Sequence, residues 1–190
     1  MTNLAKYTSL RVGGPAKKVV QVSTEAQIIA AIEEAGDSPI LIIGGGTNML
    51  ISDKGFDGTV IRISNNSVQA EVDACSGATL TIGAGEDWDN FVQTTIDRGY
   101  AGLETLSGIP GTVGAAPIQN IGAYGHEVAE FITRVRTYDR EIKEIKTFTN
   151  AECGFNYRNS YFKENPGRYV VLEVQFQLRI GEFSDPITYL

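Results

Sequence analysis

Three stretches of this chain gather residue types that do chemistry. The first is "GGGTNM", Gly44, Gly45, Gly46, Thr47, Asn48 and Met49, directly after the apolar run "PILII". Glycines behind a buried strand let a turn offer several backbone N–H groups to one phosphate, since no Cβ stands in the way. The spacing is not Gly-x-Gly-x-x-Gly, and no lysine follows as in a P-loop. Residues 49–52 are also too few for the helix of a dinucleotide-binding Rossmann unit. A tight turn between two strands accounts for the stretch equally well.

The second stretch is "SGIPGTVGAAPIQNIGAYG", residues 107–125. Its five glycines, Gly108, Gly111, Gly114, Gly122 and Gly125, permit backbone shapes other residues resist. Pro110 and Pro117 stiffen it, which lowers the entropy lost when it orders around a ligand. Ala115, Ala116 and Ala123 are small enough for a planar ring to approach. Gln119 and Asn120 each carry a donor and an acceptor, suiting a heterocycle that presents both. An internally packed Ω-loop is the alternative.

The third stretch is "CGFNYRNSYFK", residues 153–163, in which Phe155, Tyr157, Tyr161 and Phe162 read as a strand with two faces. Arg158 has no acid beside it in the segment, so a ligand carboxylate or a developing negative charge is a candidate partner. A structural ion pair with Glu104 or Glu127 is the plainer outcome. The acidic group Glu86, Asp87 and Asp89 reads as charge at a helix N-terminus rather than a metal site.

Composition narrows the chemistry further. The 190 residues fit one domain or two small ones, with 42% hydrophobic and 21% charged residues. A net charge of −7 argues against nucleic acid as partner. No apolar run reaches the roughly 20 residues that span a bilayer, and the N-terminus lacks a basic-then-apolar signal. Cys75 and Cys153 have no motif spacing and are expected as free thiols in a reducing cytoplasm. His126 is the single histidine, which removes most histidine-based metal sites and nucleophile–histidine pairs. No metal is expected, and any chemistry belongs to a cofactor.

The positioning elements follow from periodicity. A strand over residues 17–23 leads into a capping box at Thr24, Glu25, Ala26 and Gln27, and Gly36 stops that helix. Residues 39–43 form a buried strand, Asp53-Lys54-Gly55 a turn, and residues 58–63 another strand. Strands follow over 68–72 and 78–82. A helix over 88–98 carries Phe91, Val92, Thr95 and Ile96 on one face and ends at Gly99. Residues 126–132 are expected to be helical, with strands near 134–139, 141–147 and 168–178. The pattern is α+β, in two subdomains over 1–70 and 71–190.

Together, "IIGGGTNMLISDKGFDGTVI", "IGAGEDW", "GLETLSGIPGTVGAAPIQNIGAYGHE" and "CGFNYRNSYFK" resemble the flavin-binding part of the UDP-N-acetylenolpyruvoylglucosamine reductase family, first type. The resemblance implies the two-subdomain FAD-binding fold of the vanillyl-alcohol oxidase type, non-covalent FAD and NADPH as hydride donor. It implies the diphosphate at Gly44 to Met49, and the flavin wrapped by Pro110, Gly111, Thr112, Gly114, Ala115, Gln119, Asn120, Gly122, Ala123 and Tyr124. It also implies Arg158 as catalytic arginine, with Tyr157 and Tyr189 on the substrate, UDP-N-acetylglucosamine enolpyruvate. The family's proton-donating serine and assisting glutamate lie in a C-terminal substrate domain with no counterpart before Leu190, so incomplete turnover is expected. No protein partner is implied. The competing expectation is a non-catalytic flavin- or nucleotide-binding module that works with a partner protein.

Overall fold

The computed structural model describes residues 1–73 and 75–181; Tyr189 lies outside them. Contacts divide the chain into two compact units, 1–65 and 66–190. The division falls a few residues before position 70 because residue 68 already begins a strand of the second unit.

The first unit comprises β1 (Thr2–Asn3), β2 (Pro15–Val22), α1 (Glu25–Ala35), β3 (Ile40–Ile43) and β4 (Phe56–Ile63). Its sheet runs β1-β2-β4-β3; β4 is parallel to both β2 and β3, and β1 is antiparallel to β2. The α1 crossover that parallel strands require begins where Thr24 Oγ1 accepts from the Gln27 N–H. The return half of the box reaches one residue further back than expected, because Gln27 Oε1 accepts from the Ser23 N–H. Leu4, Ala16, Ile43 and Val60 close the core.

The second unit is built on an antiparallel sheet. It contains β5 (Val68–Asp73), β6 (Gly77–Gly83), α2 (Trp88–Asp97), β7 (Tyr100–Ala101), α3 (Ala116–Gln119), β8 (Gly122–Ala123), β9 (His126–Glu127), β10 (Ile132–Asp139), β11 (Glu144–Thr149), α4 (Tyr161–Glu164) and β12 (Tyr169–Ile180). The order is β11-β10-β12-β6-β5, with β7 on the end of β12. Trp88 and Phe91 of α2 bury against Phe176, with ring centroids 5.0–6.2 Å apart. A second aromatic cluster joins Phe148, Phe162 and Tyr169. Asp139 is fully buried but takes a forked contact from Arg168, Nη2 to Oδ2 at 2.8 Å. Those hydrogen bonds hold its carboxyl below the usual range against the opposing effect of burial.

Two expectations about local structure fail. Residues 126–132 are not a helix: β9 pairs with β8, a 3₁₀ turn covers Val128–Glu130, and β10 begins at Ile132. Glu127 and Glu130 form a capping box there, yet the segment is too short for cooperative helix and the hairpin takes its start. Residues 153–163 are likewise not a strand. Gly154 and Arg158 sit at positive φ, the Asn156 and Asn159 backbones bond to each other, and Ser160 caps the short α4. Glycine and asparagine chemistry outweighs aromatic alternation here.

Candidate functional site

In the second unit, an open cleft of about 960 Å³ is lined by residues 107–110, 122–127, Tyr157 and Arg158. It lies within the size range of small-molecule sites. The cleft brings together Pro110, Gly122, Ala123, Tyr124, Tyr157 and Arg158 of the expected residues. Tyr124 and Tyr157 are large exposed rings in its lining, 55% and 83% accessible.

Three hydrogen bonds between segments place Arg158. The arginine's own Nη2 donates to the Gly122 carbonyl at 2.7 Å. Asn120 Nδ2 donates to the Asn156 carbonyl at 2.9 Å, and Ser160 Oγ donates to the Ile118 carbonyl at 2.7 Å. Lys163 Nζ adds a bond to the Arg158 carbonyl. Neither suggested acid pairs with Arg158 among the described residues: Glu127 accepts from Asn120, and Glu104 accepts from the Gly102 N–H. The guanidinium is therefore fixed at one corner and carries a charge that no carboxylate among the described residues answers. Asn120, Tyr124 and Arg158 all have positive φ, 44°, 53° and 51°. Such backbone costs non-glycine residues energy and recurs at binding sites.

The rest of the long loop supports the cleft from within. Asn120 is fully buried, and its Oδ1 also accepts from the Ala129 N–H. With no accessible surface, its side chain holds the loop in shape. Gly114 and Thr112 are buried too; a Cβ on Gly114 would lie 2.5 Å from Ala84 Cβ and 2.9 Å from its carbonyl. That glycine is required by the neighbouring strand end. Gly111 and Gln119 are partly exposed and Ala115 is exposed, outside the cleft lining. The loop's other edge is held by Asp89, which accepts from Gly108 N–H at 2.6 Å and Ser107 Oγ at 2.8 Å. The Gly108 bond, then the Ser107 bond, lowers the Asp89 pKa. Asp87 caps α2 through the Asn90 N–H, and no metal cluster forms among the described residues. Asp87 and Asp89 thus serve helix and loop geometry. Asp89 and Ser160 were missed as loop supports; an acid two residues into a capped helix does not reveal which distant loop it grips.

In the first unit, Gly44 and Gly45 line a depression with Lys6, Tyr7, Ser9, Arg11 and Arg62. Gly46 has φ of 64°, and a Cβ there would meet the Tyr7 carbonyl at 1.8 Å. Ser9 N–H donates to the Gly46 carbonyl, binding the two loops together. Thr47 and Met49 are partly exposed and Asn48 exposed beside them.

A family model described as FAD binding domain matches residues 16–145. The chain belongs to that family. FAD is accordingly its cofactor; the glycine turn beside Lys6, Arg11 and Arg62 suits a phosphate group and, taken by itself, the small-residue cleft suits a flat ring. The chain is 49% identical over 188 residues to UDP-N-acetylenolpyruvoylglucosamine reductase of Cutibacterium acnes, covering 98% of this chain and 50% of that protein. The Streptomyces coelicolor reductase is 48% identical, with 98% and 48% covered. The chain thus spans about half the length of the curated relatives it matches. Among solved structures, the UDP-N-acetylenolpyruvylglucosamine reductase of Thermus caldophilus aligns with a TM-score of 0.77 at 30% identity, over 95% of this chain and 62% of that one. A VAO-type flavoprotein from Myceliophthora thermophila aligns at 0.63 with 15% identity over 85% of this chain and 31% of that one, which shows the fold alone. The fold is the FAD-binding α+β fold of that flavoprotein group. No helix among the described residues is long and apolar enough to cross a membrane.

Proposed function

We propose that the chain is the FAD-binding portion of a cytoplasmic reductase that converts UDP-N-acetylglucosamine enolpyruvate to UDP-N-acetylmuramate, with NADPH as hydride donor, in peptidoglycan synthesis. The observation that carries this is Arg158: a cation tied to the Gly122 carbonyl, unanswered by any carboxylate among the described residues, in a cleft with two exposed tyrosines. When bound, FAD supplies the hydride relay between nicotinamide and substrate. In this reading Gly44 to Met49 hold the diphosphate non-covalently, and Pro110, Gly122, Ala123 and Tyr124 face the ring. Gly111, Thr112, Gly114, Ala115 and Gln119 complete the wrapping loop, and Asn120 locks it.

Arg158 binds the enolpyruvyl carboxylate and stabilises negative charge as it develops on the substrate. Its anchoring on backbone means that little reorganisation is needed when the carboxylate arrives. Tyr157, on the same turn, contacts the substrate, and Tyr189 is assigned to the nucleotide sugar.

The test is the visible spectrum of the purified chain with FAD, before and after anaerobic NADPH, then with the enolpyruvyl sugar nucleotide. Flavin bands that bleach, and that shift on adding substrate, are expected. Bands that persist under NADPH leave a flavin-binding module without the reductive half-reaction. No flavin uptake overturns the reading.

A further inference from the structure

Taken by itself, the second unit's antiparallel sheet turns one face to its apolar core and leaves the other polar, as such sheets commonly do. That polar face is not uniform. It carries a depression of about 190 Å³ lined by Thr81, Arg134, Arg136, Thr147, Glu173 and Gln175, from β6, β10, β11 and β12. None of the six lines the Arg158 cleft or the depression at the glycine turn.

The backbone is irregular at this place. β10 slips in register against β12 on both sides of the arginines, between Ile132 and Arg134 and again between Arg136 and Thr137. Bulges of this kind re-aim side chains and are over-represented beside binding sites. Between the two slips Arg134 lies opposite Gln175, and Arg136 lies opposite Glu173 on one side and Thr147 on the other. The two arginines therefore share a face, about 7 Å apart along the strand. Gln175 is clamped: its Nε2 donates to Thr81 Oγ1 at 3.3 Å, and its Oε1 accepts from Thr133 Oγ1 at 3.0 Å. Arg136 Nε stands 3.8 Å from Glu173 Oε1. Arg134 differs, being exposed and making no side-chain hydrogen bond or ion pair among the described residues.

We propose that this depression binds a small hydroxycarboxylate, its carboxylate on Arg134 beside Arg136 and its hydroxyl among Thr81, Thr147 and Gln175. A guanidinium fork matches both oxygens of a carboxylate. The threonine hydroxyls and the glutamine amide each give and accept hydrogen bonds, which suits a hydroxyl next to the charged group. A doubly charged phosphate is disfavoured, because the Glu173 carboxylate is part of the same lining. The volume falls below the roughly 300–1,000 Å³ of drug-sized pockets, which limits the ligand to a few heavy atoms. The inference stands apart from the proposed function.

Glycolate is the probe, titrated at constant ionic strength into the isotopically labelled chain with FAD added, with acetate and inorganic phosphate as comparisons. Backbone amide NMR signals of residues 134–136 and 173–175 are expected to shift and to saturate in the millimolar range. Acetate should bind about fivefold more weakly for want of the hydroxyl, and phosphate no better than acetate. Arg134→Gln should weaken glycolate about tenfold while unfolding at the parent's temperature, since its side chain holds nothing in place. Shifts that rise with glycolate without saturating, or that are equal in Arg134→Gln, overturn the inference. Shifts confined to residues 122–126 and 158 put the anion in the Arg158 cleft and overturn it as well. Phosphate binding more tightly than glycolate overturns the choice of a carboxylate.

Discussion

The two small-residue loops of this protein solve opposite problems. The first-unit loop is clamped from outside: Gly46 lies so close to Tyr7 that backbone touches backbone, and the surrounding side chains are cations. The second-unit loop is clamped from inside by the buried Asn120, leaving small residues, two exposed tyrosines and one arginine toward the cleft. A dense charge such as phosphate is best met by backbone N–H groups and fixed cations. A flat heterocycle needs apolar surface and a few oriented polar groups. Similar glycine content therefore suits each loop, taken by itself, to a different kind of ligand group.

The comparison breaks first at Gly46. Gly46→Val places a side chain on the Tyr7 carbonyl at a backbone angle that valine resists, and should cost about 4 kcal/mol or more. Urea unfolding measures it. Gly114→Ala, where the nearest atom is another methyl-sized group, should cost less, about 1–3 kcal/mol, with the strain absorbed near Ala84. Equal effects at the two positions would mean that the first-unit loop is no more tightly held than the second.

How much of this was legible beforehand differs between the loops. The strand before Gly44, helix α1 with its Thr24 cap, and the buried Phe91, Val92 and Thr95 of helix α2 follow from periodicity and caps, whereas Ile96, expected on the same face, is exposed. The glycines at 108, 111 and 125 do adopt positive φ, but Gly114 and Gly122 are there for close approach, which spacing alone does not reveal. The αL turn at Arg158 was hidden because Phe155, Tyr157 and Tyr161 mimic strand alternation. Only the long-range partners, Gly122, Ile118 and Asn120, make the turn the better solution. The convergence of Lys6, Arg11 and Arg62 spans 56 residues of sequence and required the sheet to bring β4 beside the first turn.

Next in size is Asn120→Ala. It deletes bonds to Glu127, Asn156 and Ala129 and empties a fully buried position, so about 2–3 kcal/mol of stability should go. Because the same bonds hold the loop in shape, FAD affinity should fall as well, by equilibrium dialysis. Loss of stability with unchanged FAD affinity would show that the ring does not use this loop.

Arg158→Ala should hardly alter stability, by less than about 1 kcal/mol, since the side chain is exposed and makes one bond to Gly122. FAD content should persist, while the spectral change caused by the enolpyruvyl substrate should be lost. Arg158→Lys is expected to restore charge without the fork and recover only part of it. Unfolding of Arg158→Ala would instead mark the residue as a structural clasp between residues 122 and 158.

The smallest effect concerns timing. Cys153 starts the segment that carries Arg158; burial pushes its thiol up to about 12, with Glu152 adding to the shift, whereas Cys75 is exposed. At pH 8 almost no Cys153 thiolate exists in the closed state, so a thiol reagent should label Cys75 quickly and Cys153 only through opening. Raising the pH from 7 to 9 should speed Cys153 labelling only by ionising the thiol in the opened state, because the buried thiol is out of the reagent's reach. If the clasp between Asn120, Gly122 and the 156–160 turn is what keeps this region closed, FAD should slow Cys153 labelling at pH 8, and Asn120→Ala should hasten it. Cys75 would be unaffected by either. Rapid labelling of both thiols in the parent chain would mean that the second loop is not internally clamped, and the contrast with the first would collapse.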